Sequence, residues 1–113
     1  MNIENTKAQM RKGILEFCIL SILSHREAYP SDIIARLKEA KLIVVEGTLY
    51  PLLTRLKNAG ILSYRWEESK SGPPRKYYQL TELGEKFSKE LEATWDELQL
   101  AVNQIGTKED TNA

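Results

Sequence analysis

Residues 47–81 read GTLYPLLTRLKNAGILSYRWEESKSGPPRKYYQLT, and this stretch decides the fold. Its first part predicts a helix, because four leucines fall within an arc of roughly 100° at helical spacing, which is enough for one core-facing stripe. These are Leu49, Leu52, Leu53 and Leu56. Pro51 lacks a backbone N–H and is tolerated in a first turn, so we expect the helix to begin near Gly47 or Thr48 and to stop at Gly60.

The second part predicts a β-hairpin, because side chains alternate between two faces on both sides of a tip. Before the tip, residues 62, 64 and 66 alternate with residues 63, 65 and 67, and after it residues 76, 78 and 80 alternate with residues 75, 77 and 79. The tip, EESKSGPP at residues 67–74, is rich in the turn-forming residues Ser, Gly and Pro. A short helix followed by such a hairpin predicts a winged helix.

Positive charge on the hairpin favours DNA as the partner. Arg65, Lys70, Arg75 and Lys76 repel one another unless an anion lies nearby, and the DNA phosphate is such an anion. The outer arc of the helix has hydroxyls, Arg55 and no acid, so it can approach a groove. The predicted DNA-binding residues are Thr48, Tyr50, Pro51, Thr54, Arg55, Lys70, Gly72, Arg75, Lys76 and Tyr77. The alternative for each element is an ordinary solvated surface.

The net charge of zero conceals a segregation of charge along the chain. Residues 1–45 have seven cations and five acids, net +2, and residues 46–80 have six cations and three acids, net +3. Residues 81–113 have three cations and eight acids, net −5. A polarised molecule is therefore expected, with a DNA affinity that depends steeply on salt.

The segments GTLYPLLTRLKNAGIL and GPPRKYYQLT resemble the PadR family of bacterial winged-helix transcription regulators, and RKGILEFCILSIL is similar to the first helix of that family. The resemblance covers residues 8–106 and points to the short, LmrR-like branch. It implies a DNA-binding regulator, by family habit a repressor. Two departures are Lys57, where an acid is usual, and Tyr29-Pro30-Ser31 in place of Gly-Tyr at the second helix.

The expected fold is mainly α with a small β-hairpin: a winged helix-turn-helix plus a long C-terminal dimerisation helix. Helix 1 is expected at residues 7–24, helix 2 at residues 31–40 and a short strand at residues 42–45. The DNA-binding domain then spans residues 1–80 and the dimerisation helix residues 81–106. Residues 107–113 are expected to be a disordered polar tail.

The last helix predicts a homodimer, because its apolar residues repeat at steps of four and seven while its other faces are charged. The predicted interface comprises Phe87, Leu91, Trp95, Leu98, Val102 and Ile105. A two-fold dimer suits a palindromic operator with two half-sites. The alternative is a helix that folds back on its own domain.

Trp95 is the candidate effector-binding residue, because two indoles near a two-fold axis can sandwich a planar aromatic ligand. The family resemblance implies that Met10, Glu16, Phe17, Ser21 and Gln99 line the same pore. Glu16 would select cationic ligands there; the alternative is an exposed acid at the outer edge of helix 1. The alternative for Trp95 is a tryptophan of the dimer core without a ligand.

Nothing in the sequence predicts an enzyme, a cofactor or a metal site. Cys18 lies in an apolar helix as a small hydrophobe, and His25 is placed as a helix C-terminal cap. The apolar run after Lys12 is interrupted by Glu16 and has no cleavage signal, so we expect a cytoplasmic protein. The rival to a DNA-binding regulator is a winged helix that mediates protein–protein assembly, with its wing on an acidic partner.

Overall fold

A computed structural model describes residues 1–107, which form four helices and one hairpin. Helix α1 spans Ile3–His25, α2 Pro30–Glu39, α3 Glu46–Asn58 and α4 Glu82–Gly106. Strands β1 (Leu62–Ser69) and β2 (Gly72–Leu80) make an antiparallel two-stranded sheet between α3 and α4. This is the predicted winged helix-turn-helix with a long final helix. The tail predicted at residues 107–113 lies, beyond Thr107, outside the described residues.

The core is built from one apolar stripe of each helix of the winged domain and from the base of the hairpin. Its fully buried side chains are Ile19, Leu20, Ile33, Leu37, Leu49 and Leu53. Leu56, Leu62 and Tyr78 complete it from α3 and the two strands. The leucine stripe predicted on α3 therefore faces inward, with Leu52 half-buried at its edge.

The hairpin has the predicted alternation. Tyr64 pairs with Tyr78 and Trp66 with Lys76 on one face, whereas Arg65 pairs with Tyr77 on the other. The turn is tighter than expected, because β1 continues to Ser69 and β2 begins at Gly72. The two prolines of the predicted tip therefore lie inside β2, where an edge strand tolerates the missing N–H groups.

The strand predicted at residues 42–45 is absent: within residues 1–107 the sheet has two strands, and this segment simply connects α2 to α3. Ala28 takes the place beside β2 instead. Its N–H donates to the carbonyl of Tyr78 at 3.0 Å, and the N–H of Tyr78 donates to the carbonyl of Ala28 at 2.8 Å. The apolar residues Ile43 and Val45 of the connection remain exposed.

Two helix starts differ from expectation. Helix α1 begins at Ile3 because the Asn2 side chain accepts the N–H groups of Glu4 and Asn5, which caps the helix. Helix α3 begins at Glu46, so Pro51 lies beyond the first turn. The stop of α3 is as predicted, since Gly60 follows it with a φ of +80°, a conformation that favours glycine.

None of the helices formed by residues 1–107 is long and apolar enough to cross a membrane.

Candidate nucleic-acid interface

The five residues predicted to read DNA from α3 are all exposed. They are Thr48, Tyr50, Pro51, Thr54 and Arg55. Because Leu49, Leu53 and Leu56 anchor the opposite side in the core, this face keeps a fixed orientation toward solvent. Tyr50 lies on the side of the hairpin, whereas Thr48 borders a groove against α1.

Arg55 is turned toward α1 rather than toward the hairpin. Its guanidinium forms an ion pair with the carboxylate of Glu16, whose side chain is only 21 % exposed. Glu16 is thus half-buried and paired with α3, so it is not the exposed acid of the alternative that the sequence allowed. The pair joins the helix predicted to line the effector pore to the helix predicted to read DNA.

The predicted wing residues are placed at two depths. Lys70 lies in the exposed turn and Gly72 begins β2 beside it. The Arg75 guanidinium lies 5.2 Å from the ring centroid of Tyr29. The Lys76 ammonium lies 4.4 Å from the ring centroid of Tyr64 and is half-buried. Arg75 and Lys76 are thus held against aromatic rings, which orient the two side chains without neutralising their charge.

A stack of side chains fixes the hairpin to the N-terminus of α2. The rings of Tyr29 and Tyr77 are stacked with centroids 3.9 Å apart. Arg75 also lies over the Tyr29 ring, and Arg65 lies 4.8 Å from the centroid of Tyr77. Burial against these neighbours raises the pKa of Tyr29. Tyr77, predicted as a DNA contact, is therefore half-buried and serves first to position the wing.

Arg65 differs from the other hairpin cations because two acids neutralise it. Its Nη2 donates to Glu27 Oε1 at 2.6 Å and its Nε to Glu27 Oε2 at 3.1 Å. Its Nη1 lies 2.7 Å from Glu67 Oε2. The hydrogen bonds to Glu27, together with the nearby Glu67 carboxylate, raise the pKa of Arg65, and the hydrogen bond from Arg65 lowers the pKa of Glu27. Arg65 thus anchors the wing and adds little free charge for DNA.

The hairpin, α2 and the start of α3 enclose a groove of about 400 Å³ that contains an aromatic residue not predicted to bind DNA. Tyr29, Tyr50, Trp66, Arg75 and Lys76 line it together with Glu46. Trp66 is 60 % exposed although its strand neighbours on the same face pack inward. The sequence pattern placed Trp66 on the same face as Leu62 and Tyr64, and it gave no sign that this residue alone would lie exposed in a groove.

The predicted effector residues lie on α1 and α4, which pack against each other. Glu16, Phe17, Ser21 and Trp95 are half-buried, whereas Met10 and Gln99 are exposed. No group of three potential metal ligands occurs among residues 1–107.

The predicted dimer stripe of α4 is uncovered over its C-terminal half. Phe87, Leu98, Val102 and Ile105 are exposed, Leu91 and Trp95 are half-buried, and of these only Leu91 packs against the core cluster. The stripe thus does not fold back fully onto its own domain within the described residues. Leu100, also exposed, lies on the opposite side of the helix.

Comparison with known proteins identifies the family. The sequence model of the transcriptional regulator PadR-like family matches residues 19–90. A PadR-like transcription factor from Bacteroides fragilis is 66 % identical, with a TM-score of 0.77 over 90 % of this chain and 99 % of that one. A PadR-like regulator from Bacillus cereus is 35 % identical, with a TM-score of 0.80 over 89 % and 99 % of the two chains.

A PadR family regulator from Eggerthella lenta is 32 % identical, with a TM-score of 0.82 over 94 % of both chains. These proteins are transcriptional regulators rather than enzymes, which agrees with the expectation from the sequence and does not favour a winged helix used only for protein assembly. Regulators of this kind act on DNA. The chain belongs to the PadR-like family of transcriptional regulators.

Proposed function

We propose that this PadR-like regulator is a ligand-responsive repressor that binds a palindromic operator as a homodimer in the cytoplasm. The observation that carries the proposal is the juxtaposition of the exposed face of α3 with the cationic wing on one rigid unit. Helix α3 enters the major groove, with Tyr50 and Thr54 nearest the base edges. The wing lies along the sugar–phosphate backbone of the DNA.

The phosphate contacts come from different parts of this surface. Lys70 at the turn is free to reach a phosphate, with the Gly72 backbone beside it, and Arg75 and Lys76 present positive charge along β2. Thr48 and Pro51 approach the backbone from α3. Arg55 reaches DNA only when Glu16 releases it, and Tyr77 acts through its stack with Tyr29.

Homodimerisation is supported by two surfaces of complementary character. The uncovered half of α4 exposes Leu98, Val102 and Ile105 in one stripe, and α4 has six acids against two lysines. A groove of about 690 Å³ between α1 and residues 41–45 is lined by Leu15, Ile43 and Val45 and rimmed by cations. Those cations are Arg11, Lys12 and Lys41. The α4 helix of a second subunit fits a groove that is apolar at its floor and basic at its rim.

Ligand response is assigned to the region around Trp95. In a dimer joined through α4, the half-buried Trp95 lies near its symmetry mate, and a planar aromatic effector stacks between the two rings. Met10, Phe17, Ser21 and Gln99 form the remaining wall, and Glu16 favours a cationic ligand once its carboxylate is released from Arg55. A bound effector changes the spacing of the two α3 helices and so weakens operator binding. We therefore propose that the chain belongs to the short, LmrR-like branch of the family.

The decisive experiment is a titration of the purified protein with the DNA upstream of its own gene, at two salt concentrations, with an unrelated duplex as control. We expect tighter binding to the upstream DNA and a steep dependence of the affinity on salt. Equal and weak binding to both duplexes would contradict sequence-specific regulation. Addition of planar cationic aromatic dyes then tests the ligand response, because release of the operator should accompany quenching of Trp95.

A further inference from the structure

The side chain of Trp66 lies on the hairpin face that is buried at the base of the two strands and becomes exposed toward the turn. On this face Tyr78 and Leu62 are buried, Tyr64 is half-buried and Trp66 is 60 % exposed. The indole meets the Tyr64 ring edge-on, at 6.0 Å between centroids and an interplanar angle of 89°. The Trp66 side chain lines the groove between the wing and α3.

The surroundings of Trp66 combine an apolar surface with positive charge. The Lys76 ammonium, directly across the hairpin, lies 5.3 Å from the centroid of the Trp66 ring. Arg75 and Tyr50 line the same groove. Glu46, at the start of α3, forms the opposite wall, so an anion is favoured on the side of Lys76 and disfavoured on the side of Glu46.

The sugar–phosphate backbone of DNA matches this arrangement. An indole has one N–H donor and no acceptor, and a phosphate has acceptors and no donor. The deoxyribose has an apolar face of suitable size for a ring to pack on, while the adjacent cation neutralises the phosphate. The groove is already formed, since the Tyr29–Tyr77 stack and the Ala28–Tyr78 bridge hold the wing against α2.

We propose that Trp66 contacts the backbone of bound DNA, with its indole against a deoxyribose and the Lys76 ammonium on the neighbouring phosphate. This inference rests on the DNA binding of the proposed function. The Trp66 contact adds an apolar contribution to the DNA affinity. This contribution depends neither on the base sequence nor on counterion release.

The first test uses the two tryptophans of the chain, Trp66 and Trp95, as separate reporters. A Trp95→Phe variant keeps Trp66 as its single indole, and a Trp66→Phe variant keeps Trp95. We expect saturating duplex DNA to change the emission intensity and wavelength of the Trp66 reporter and to leave the Trp95 reporter nearly unchanged. A Trp66 reporter that does not respond while DNA is bound would overturn the proposal.

The second test separates an apolar contact from a charge contact. Trp66→Ala should weaken binding by roughly tenfold, equally for upstream and unrelated DNA, without a shallower salt dependence. The matched control is Lys70→Ala on the same hairpin, which should reduce the slope of log K against log salt by about 0.9. Unchanged affinity of Trp66→Ala contradicts the contact. If the unaltered protein binds neither duplex, the proposed function itself fails, which is a different result.

Discussion

The ion pair between Glu16 and Arg55 changes the role expected of a residue that the sequence predicts to bind DNA. The sequence places Arg55 among base-reading residues, and the structure pairs its guanidinium with Glu16. Since Arg55 is 63 % exposed, the pair contributes at most about 1 kcal/mol to stability. We expect its larger effect to be on binding, because Glu16 compensates a charge beside the face proposed to read DNA.

Glu16→Gln should therefore tighten binding to duplex DNA by several-fold. Removal of the carboxylate releases Arg55 for a phosphate, which steepens the slope of log K against log salt by about 0.9. The measurement is a fluorescence-anisotropy titration at several salt concentrations. An Arg55→Gln background provides the control, because Glu16→Gln should have no effect there; an equal effect in both backgrounds would show that Glu16 does not act through Arg55.

The contact between the start of α4 and the chain before β1 depends on the absence of one side chain. A Cβ at Gly84 would collide with the carbonyl oxygen of Ile61. The Thr81 hydroxyl at the same place donates to the carbonyl of Gly60 at 2.6 Å and accepts the N–H of Gly84 at 3.0 Å, so the backbone cannot move aside easily. This close approach sets the direction in which α4 leaves the winged domain.

Gly84→Ala should lower the free energy of unfolding by about 3 kcal/mol, because overpacking against backbone cannot relax through a side-chain rotation. Urea denaturation measures the change. Gly47→Ala in α3 is the matched control, since a Cβ there meets nothing within 4 Å and alanine favours a helix. A loss of stability in the control as large as in Gly84→Ala would refute a steric cause.

The anchoring of the hairpin should depend on pH through Glu27. Because Arg65 lowers the pKa of Glu27 in the folded protein, the bond stabilises the fold above the ordinary glutamate value of 4.5. That stability is lost as pH falls below 4.5 and through the lowered pKa. Glu27→Gln should accordingly show a smaller loss of stability between pH 5 and pH 3, as measured by thermal unfolding at each pH.

Glu39→Gln serves as the control for this pH experiment, because the carboxylate of Glu39 is exposed and lies 3.5 Å from an equally exposed Arg36. Its acid dependence should follow the unaltered protein. If Glu27→Gln also follows the unaltered protein, the Arg65 bond does not contribute to the acid sensitivity of the wing.

On the scale of the whole molecule, the C-terminal half of α4 has two exposed leucines on opposite sides, and only one lies on the proposed dimer stripe. Leu98→Glu should raise the dimer dissociation constant by on the order of a hundredfold or more, since an unpaired carboxylate would be buried in the interface. Analytical ultracentrifugation across a concentration series measures this change. Leu98 is 53 % and Leu100 72 % exposed in the single chain, so neither change should unfold it.

Leu100→Glu is the matched control, because it adds the same charge to the same helix outside the stripe. We expect the dimer to persist in this variant. Dissociation by Leu100→Glu with no effect of Leu98→Glu would mean that the interface lies on the other side of α4, and an absence of dimer in the unaltered protein would contradict the proposed assembly.

The sequence accounted for the elements and for which residues face inward, as the leucine stripe of α3 and the alternation of the hairpin show. Periods of 3.6 and 2 residues are local consequences of backbone geometry, so a single sequence contains them. The strand expected at residues 42–45 was wrong because local spacing does not show whether a segment has a hydrogen-bonding neighbour. The β-branched residues there favour an extended chain, but the backbone that pairs with β2 outside the hairpin is that of Ala28.

The sequence by itself determined the fold class, the exposed side of α3 and the uncovered stripe of α4, because each follows from spacing along one element. The tertiary structure alone decided that Arg55 is paired with Glu16, that Arg65 is neutralised by Glu27 and that Trp66 opens onto a groove. These partners are separated by many residues in the chain. Their meeting depends on how the helices and the hairpin pack, which no local spacing encodes.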